Sequence, residues 1–236
     1  MKIKSSIDIG KILVVNALNY ECPILAQRFS EIGRVLNLDV VIVDYDNFIA
    51  DLVVHLHNVA REKYSAIVIL VGGKKYFKSL VYSIIELEEM GANLLVVLPK
   101  QLYNRVAKFK LNVLGVEEFC SEIERVVKEV KKMVRFPVKN IYLVEYPKPV
   151  EKALNEGLLL VIDLPLKASR RWILLKYFSG DRFVREEISK NLDNESERKL
   201  RDLTMKLWCD LGMSPAYEIN KAKERLIDKF NNSLNT

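Results

Sequence analysis

Two stretches of this 236-residue chain carry side chains suited to holding phosphate. The first is Ile67-Val-Ile-Leu-Val-Gly-Gly-Lys-Lys75, an apolar run that ends in two glycines and two lysines. Glycines let backbone N–H groups approach an anion, a helix N-terminus favours negative charge, and lysines add cationic donors. The same four residues also fit a tight turn with solvated lysines. The second stretch, Ser196 to Lys206, opens with Ser196, Arg198, Lys199 and Arg201.

Other reactive residue types are scattered. Cys22, Cys120 and Cys209 lie far apart in sequence, which argues against a disulfide scaffold and a zinc site. Cys22 stands before Pro23 at a helix start with no basic partner in reach of sequence, so it reads as structural. His55 and His57 fall about 200° apart on a helix and cannot share a metal. No Ser/His/Asp set, GxSxG or P-loop occurs, and no paired carboxylates stand out. The expectation is therefore a chain that is not an enzyme and needs no cofactor or metal.

The elements that position these residues follow from apolar patterning. Ile12 to Val15, Val40 to Val43, Ala66 to Val71 and Leu94 to Leu98 are continuous apolar runs, as parallel strands buried on both faces require. Helix-length amphipathic segments lie between them, and a fifth strand is expected at Val116 to Phe119 before a helix over Ser121 to Met133. The series predicts an α/β domain with a doubly wound parallel five-stranded sheet over residues 1–134. Prolines 137, 147, 149 and 165 mark a linker or small β segment over 135–168, with strands at Ile141 to Val144 and Leu158 to Ile162 around a helix, Pro149 to Asn155. Residues 169–236 read as helices: Arg171 to Phe178, Phe183 to Leu192, Glu197 to Leu211 and Tyr217 to Asn231.

Composition sets the frame. Half the residues are hydrophobic, 29% are charged, and the net charge is +6. A chain so apolar can bury a core. No run approaches the ~18 apolar residues of a membrane span, and Met1 to Gly10 lacks a secretory pattern, so a cytoplasmic chain with no membrane contact is expected. Residues 1–134 hold 18 Lys and Arg against 16 Asp and Glu, and residues 135–236 hold 19 against 15, so most of the excess lies in the second half.

Over about Lys11 to Lys132 the chain resembles a response-regulator receiver domain, on the strand and helix spacing and on Lys11-Ile-Leu-Val-Val and Leu114-Gly-Val-Glu-Glu-Phe119. The resemblance implies a flavodoxin-like fold without phosphotransfer. The acidic pair falls on Asn16 and Ala17, the phosphoacceptor on Leu70 and Val71, the hydroxyl on Pro99, and the lysine near Glu122. The Gly-Gly-x-Lys strand end and Asp44-Tyr-Asp-Asn-Phe48 are similar to CARF domains, which sense cyclic oligoadenylates. That resemblance implies ligand contacts by Asn16, Gly72, Gly73 and Lys74, although Val71 replaces the usual hydroxyl residue.

The segment Ser169 to Met213 resembles winged helix-turn-helix regulators through Arg171-Trp-Ile-Leu-Leu-Lys-Tyr-Phe178, Glu186-Glu-Ile-Ser189 and Leu211-Gly212. It implies that the third helix enters a DNA major groove with Ser196, Arg198, Lys199 and Arg201. Lys206 and the Arg170–Arg171 pair would then serve as phosphate contacts. The wing is missing, since Met213 to Ile219 is too short for a hairpin, and the last helix suits a dimer contact. The expected function is a DNA-binding regulator, a homodimer on double-stranded DNA. The alternatives are an assembly factor bound to a protein partner and a cyclic-oligonucleotide sensor.

Overall fold

A computed structural model describes residues 10–62, 64–137 and 143–235. The chain divides into two compact units. The first comprises Met1–His55, Glu62–Ser79 and Ala92–Lys139; the second comprises Leu56–Arg61, Leu80–Gly91 and Asn140–Thr236.

The first unit is an α/β sheet domain. Strand β1 (Lys11–Ala17) leads to helix α1 (Leu25–Leu36), strand β2 (Asp39–Asp44), helix α2 (Tyr45–Ala50) and helix α3 (Leu52–Arg61). Strand β3 (Tyr64–Val71), helix α4 (Lys74–Glu89), strand β4 (Leu94–Pro99), helix α5 (Lys100–Val106), strand β5 (Val113–Val116) and helix α6 (Ile123–Arg135) follow. The last residues of α3 and of α4 count with the second unit. All five strands run parallel in the order β2-β1-β3-β4-β5.

Ile12, Val14, Ala66, Val68, Leu70, Leu95 and Val97 pack with Phe29 and Ile32 of α1 and Val126 and Val130 of α6. The alternate residues Leu13, Val15, Ile67, Ile69 and Val96 are equally buried, so both faces of the sheet are covered. This is why the strands read as unbroken apolar runs. Edge strand β2 instead alternates exposed and half-buried residues. The fifth strand lies at Val113–Val116, three residues before its expected place. The loop Glu117 to Glu122 carries Phe119, whose burial mimicked a strand residue.

The second unit is helical. Helix α7 (Lys148–Gly157) is followed by a 3₁₀ turn at Leu158–Val161, then α8 (Arg170–Phe178), α9 (Arg182–Asn191), α10 (Asn194–Leu211) and α11 (Pro215–Asn235). The strand expected at Leu158 to Ile162 is thus a helical turn. Of the strand expected at Ile141 to Val144, residues 141 and 142 lie outside the described residues, and Leu143 and Val144 are not in a strand. Ser169, Asp181 and Asp193 cap α8, α9 and α10 by accepting from Trp172, Val184 and Ser196 backbone N–H groups. Helix α8 is buried nearly all round: Trp172, Ile173, Leu174, Leu175, Tyr177 and Phe178 are all in the core. Gly212, at φ 66°, ends α10 in the left-handed region, and α11 begins three residues later. No wing follows α10, so the winged-helix expectation fails on connectivity.

Ion pairs sit at the centre of this unit. Glu86 of α4, fully buried, meets Lys223 Nζ at 2.6 Å, Trp172 Nε1 at 2.8 Å and Lys176 Nζ at 3.0 Å. Burial alone would raise the Glu86 pKa, but Lys223 and Lys176 outweigh it and hold the carboxyl at about 2. Glu89, also fully buried, takes Lys223 at 3.2 Å and the Tyr146 hydroxyl at 2.8 Å. Its carboxyl is nevertheless raised, because burial exceeds what Lys223 and Tyr146 return.

Candidate functional site

In a doubly wound sheet, ligands bind outside the carboxyl ends of the strands, where the connections diverge to opposite sides. Here that place is the end of β1, between β2 and β3. Asn16 is paired in register with Asp44 of β2 and Leu70 of β3. Asn16 Nδ2 lies 3.5 Å from Asp44 Oδ1, and its Oδ1 accepts from the Leu18 N–H at 3.4 Å. Gly72 donates its N–H to Ala17 O at 2.8 Å. A Cβ on Gly72 would stand 2.6 Å from the Asn19 nitrogen, so the absent side chain lets the loop after β1 close over the end of β3. Gly73 is open, with nothing within 4 Å of such an atom. Lys74 and Lys75 begin α4 and are exposed.

The structure therefore brings Asn16, Gly72, Gly73 and Lys74 to one rim. It also shows that Gly72 serves the tight turn, and that the open backbone is that of Gly73 to Lys75. Asp44, noted in sequence within Asp44 to Phe48 but not among the expected ligand contacts, joins them through Asn16.

Farther along the rim, a cavity of about 330 Å³ is lined by Lys100, Tyr103, Leu114, Gly115, Glu117 and Arg125. Lys100 Nζ and Glu117 Oε1 pair at 2.6 Å, and Glu117 raises the lysine's pKa. Arg125 holds Gly115 O at 3.1 Å and Glu122 at 2.8 Å, and keeps the Glu122 carboxyl low. Tyr20 accepts from the Phe119 N–H at 3.2 Å and so ties the loop after β1 to the loop after β5. No three metal-type side chains converge among the described residues. The histidines are apart: His55 stacks on Phe48, and His57 stacks on Phe183, 3.6 Å from Asp181.

Five of the seven residues expected to grip DNA are held by their own chain. Arg170 binds the carbonyls of Ile162, Leu164 and Leu166. Arg171 forms a two-pronged pair with Glu151, both contacts at 2.7 Å. Lys206 pairs with Glu156, Lys199 with Glu195, and Ser196 with Asp193. Arg198 and Arg201 are exposed and make no ion pair among the described residues, and Arg201 borders a cleft with Tyr177, Arg185 and Glu197.

Residues 146–233 match the family model of the FeoB cytosolic helical domain. No curated protein matches the chain. Among solved structures, NFeoB from S. thermophilus bound to GDP·AlF4⁻ and K⁺ is 12% identical, with a TM-score of 0.69 over 95% of this chain and 100% of that one. The same organism's NFeoB bound to mGMPPNP is 12% identical, with a TM-score of 0.70 over 96% of this chain and 98% of that one. The cytosolic domain of the T. maritima FeoB iron transporter, in apo form, is 13% identical with a TM-score of 0.58, covering 93% of this chain and 98% of that one.

These likenesses replace the earlier resemblances. Receiver, CARF and winged-helix domains give way to one arrangement, a sheet domain and a helical part whose residues 146–233 match the FeoB cytosolic helical domain model. The reading as a DNA-binding regulator falls with it, as do the assembly-factor and cyclic-oligonucleotide alternatives. Double-stranded DNA, a docking protein and a second copy are dropped as partners. The exclusion of any membrane link is dropped too, because the T. maritima neighbour is part of a transporter. The expectation of a chain that is not an enzyme loses its ground as well, since two of the neighbours were solved with GDP·AlF4⁻ or mGMPPNP. No described helix is long and apolar enough to cross a membrane. Sheet, order and helical half thus share the fold of FeoB cytosolic fragments, and residues 146–233 match that family's helical domain.

Proposed function

We propose that the chain is a FeoB-type cytosolic module, serving an iron transporter from the cytoplasmic side, with guanine nucleotide as the ligand of its sheet domain. The match of residues 146–233 to the FeoB helical domain carries this reading. The whole-chain likeness to nucleotide-bound NFeoB supports it.

The phosphate contacts of this chain are its own. A P-loop, Gly-x4-Gly-Lys-Ser/Thr, would follow β1 and cradle phosphates with backbone N–H groups and a lysine. Residues Leu18 to Ile24 contain neither glycine nor lysine, so that cradle does not fit here. The donors left at the rim are the Gly73 to Lys75 backbone at the start of α4, with the Lys74 and Lys75 ammonium groups. Asn16 and Asp44 stand beside them. In this reading the Gly73 to Lys75 backbone and the two lysines take the phosphates, and the cavity between Lys100 and Arg125 offers Tyr103 and Glu117 to the rest of the ligand.

Titration with fluorescent GDP, a GTP analogue and the adenine counterparts, in potassium buffer, tests the reading, with phosphate release followed in parallel. Saturable binding that prefers guanine is expected. Replacing Lys74 and Lys75 together by Ala should weaken it about tenfold or more, as loss of charge-assisted hydrogen bonds implies. Absence of binding at millimolar guanine nucleotide would remove the ligand from the proposal.

A further inference from the structure

Within the helical unit, α8, α9 and α10 leave a cleft of about 360 Å³. That lies in the range of roughly 300–1,000 Å³ that small-molecule sites occupy. Tyr177 of α8, Arg185 of α9, and Glu197, Arg201, Thr204 and Met205 of α10 line it. The four α10 residues recur at spacings of three and four, so they share one side of the helix, while Leu200, Leu203 and Leu207 take the buried side. Arg185 and Arg201 are exposed, Glu197 is half-buried, and none of the three makes an ion pair among the described residues. The Arg185 guanidinium lies over the Tyr177 ring, 5.8 Å from its centroid. Tyr177 is buried, and its hydroxyl has no hydrogen-bond partner among the described residues. Burial raises its pKa, so the hydroxyl keeps its proton and can donate. The Thr204 hydroxyl is spent on the Leu200 carbonyl at 2.8 Å, so it brings no free donor. Met205 is 65% exposed and supplies an apolar wall.

We propose that this cleft binds a small monocarboxylate with an apolar body. Arg185 and Arg201 hold the carboxylate, the Tyr177 hydroxyl donates to it, and the body lies against Met205. Planar guanidinium groups match a carboxylate through paired N–H donors, and both arginines are free to turn toward one. Charge sets the class of anion. The two arginines and Glu197 sum to one positive charge, which one carboxylate neutralises. A doubly charged phosphate ester would leave a net negative charge beside Glu197. The inference concerns the helical unit alone. It does not rest on the nucleotide reading, and its test contains no nucleotide.

The full chain, carrying isotope-labelled methionine methyl groups, is titrated with phenylpropionate and followed by NMR. The Met205 signal is assigned with Met205→Leu, and the buried Met90 and Met133 serve as internal controls. The Met205 signal should shift saturably while the two controls stay in place. Phenylpropionamide, of the same shape without the charge, should leave Met205 where it is. Arg185→Gln and Arg201→Gln should each weaken binding about tenfold, as loss of a charge-assisted hydrogen bond implies. Their melting temperatures should match wild type, since both side chains are exposed and unpaired. The proposal is overturned if Met205 does not move at millimolar acid, or if the amide moves it equally. It is equally overturned if both arginine variants bind as tightly as wild type, or if phenyl phosphate binds more tightly than the carboxylate.

Discussion

The sheet unit keeps its charged groups at the ends of its strands, and the helical unit buries ionised groups at its centre. Across the sheet, Ile12 to Val15 and Ala66 to Val71 are wholly apolar and wholly buried, and charge stands where strands begin, at Lys11 and Asp39, and where they end, at Asp44, Lys74, Lys100 and Glu117. In the helical unit, Glu86, Glu89 and Lys223 lie in the core with Trp172 and Tyr146. A sheet closes its backbone polar groups through its own ladder, so its core needs no side-chain polarity. Helices meet only through side chains, and a buried, directional network can select one packing among several with similar apolar contact. Such a network is a device of specificity more than of stability. The difference teaches that polar substitution should be tolerated at the rim and punished in the helical core.

Removing the shared cation breaks this comparison hardest. Lys223→Met leaves two buried carboxylates without their common partner, and about 3–5 kcal/mol should be lost. Both tryptophans, Trp172 and Trp208, lie in the helical unit, so the loss should appear as a lower urea midpoint in tryptophan fluorescence. A midpoint within error of wild type would remove the network's role.

The pH response is the next largest effect. Burial raises the Glu88 carboxyl to about 7. Because its folded pKa lies above the unfolded value, the stability tied to its protonated form is full below about 4.5 and is lost as pH rises through 7. The total is of the order of 3 kcal/mol. Glu86 behaves oppositely: held at about 2, it contributes above about 4.5 and fails as pH falls through 2. Stability of the helical unit should therefore decline between about pH 4.5 and 7, and Glu88→Gln should flatten that slope. Denaturation series at five pH values decide this.

At the rim, Gly72→Ala forces a carbon within 2.6 Å of the Asn19 nitrogen and should cost roughly 1–3 kcal/mol, read by circular dichroism on heating. Lys74→Ala beside it should change stability by less than about 0.5 kcal/mol, which sharpens the division between a turn glycine and a solvated lysine. Smallest among the helical effects, Asp193→Ala should remove the α10 cap and cost about 1 kcal/mol.

Legibility followed the same division. Strands β1, β3 and β4 were readable because both-face burial writes itself as a continuous apolar run; β2 was readable from its apolar run although, at the edge, it is only half-buried. The fifth was displaced because Phe119, buried from a loop, looks in sequence like a strand residue. Asn16, Gly72, Gly73 and Lys74 were legible as punctuation at strand ends, and the fold gathers them. The pairing of Asn16 with Asp44 was not, since it depends on which strands become neighbours. The helix-turn-helix reading had local support in capped helices of the right lengths. What overturned it was the match of residues 146–233 to the FeoB cytosolic helical domain, which three capped helices of ordinary length do not spell out. Arg170 and Arg171, read as phosphate contacts, are held by the carbonyls of Ile162 to Leu166 and the Glu151 carboxylate.

By itself the sequence determined four of the five apolar strands, the amphipathic helices around them, the helical second half and the absence of a glycine–lysine loop after β1, since these depend on composition and short-range periodicity. Only the tertiary structure decided where the fifth strand lies, which charges are spent internally, and that Glu86, Glu89 and Lys223 are interior. Those outcomes depend on which surfaces meet, and burial acts on a side chain only through neighbours that its local sequence does not name.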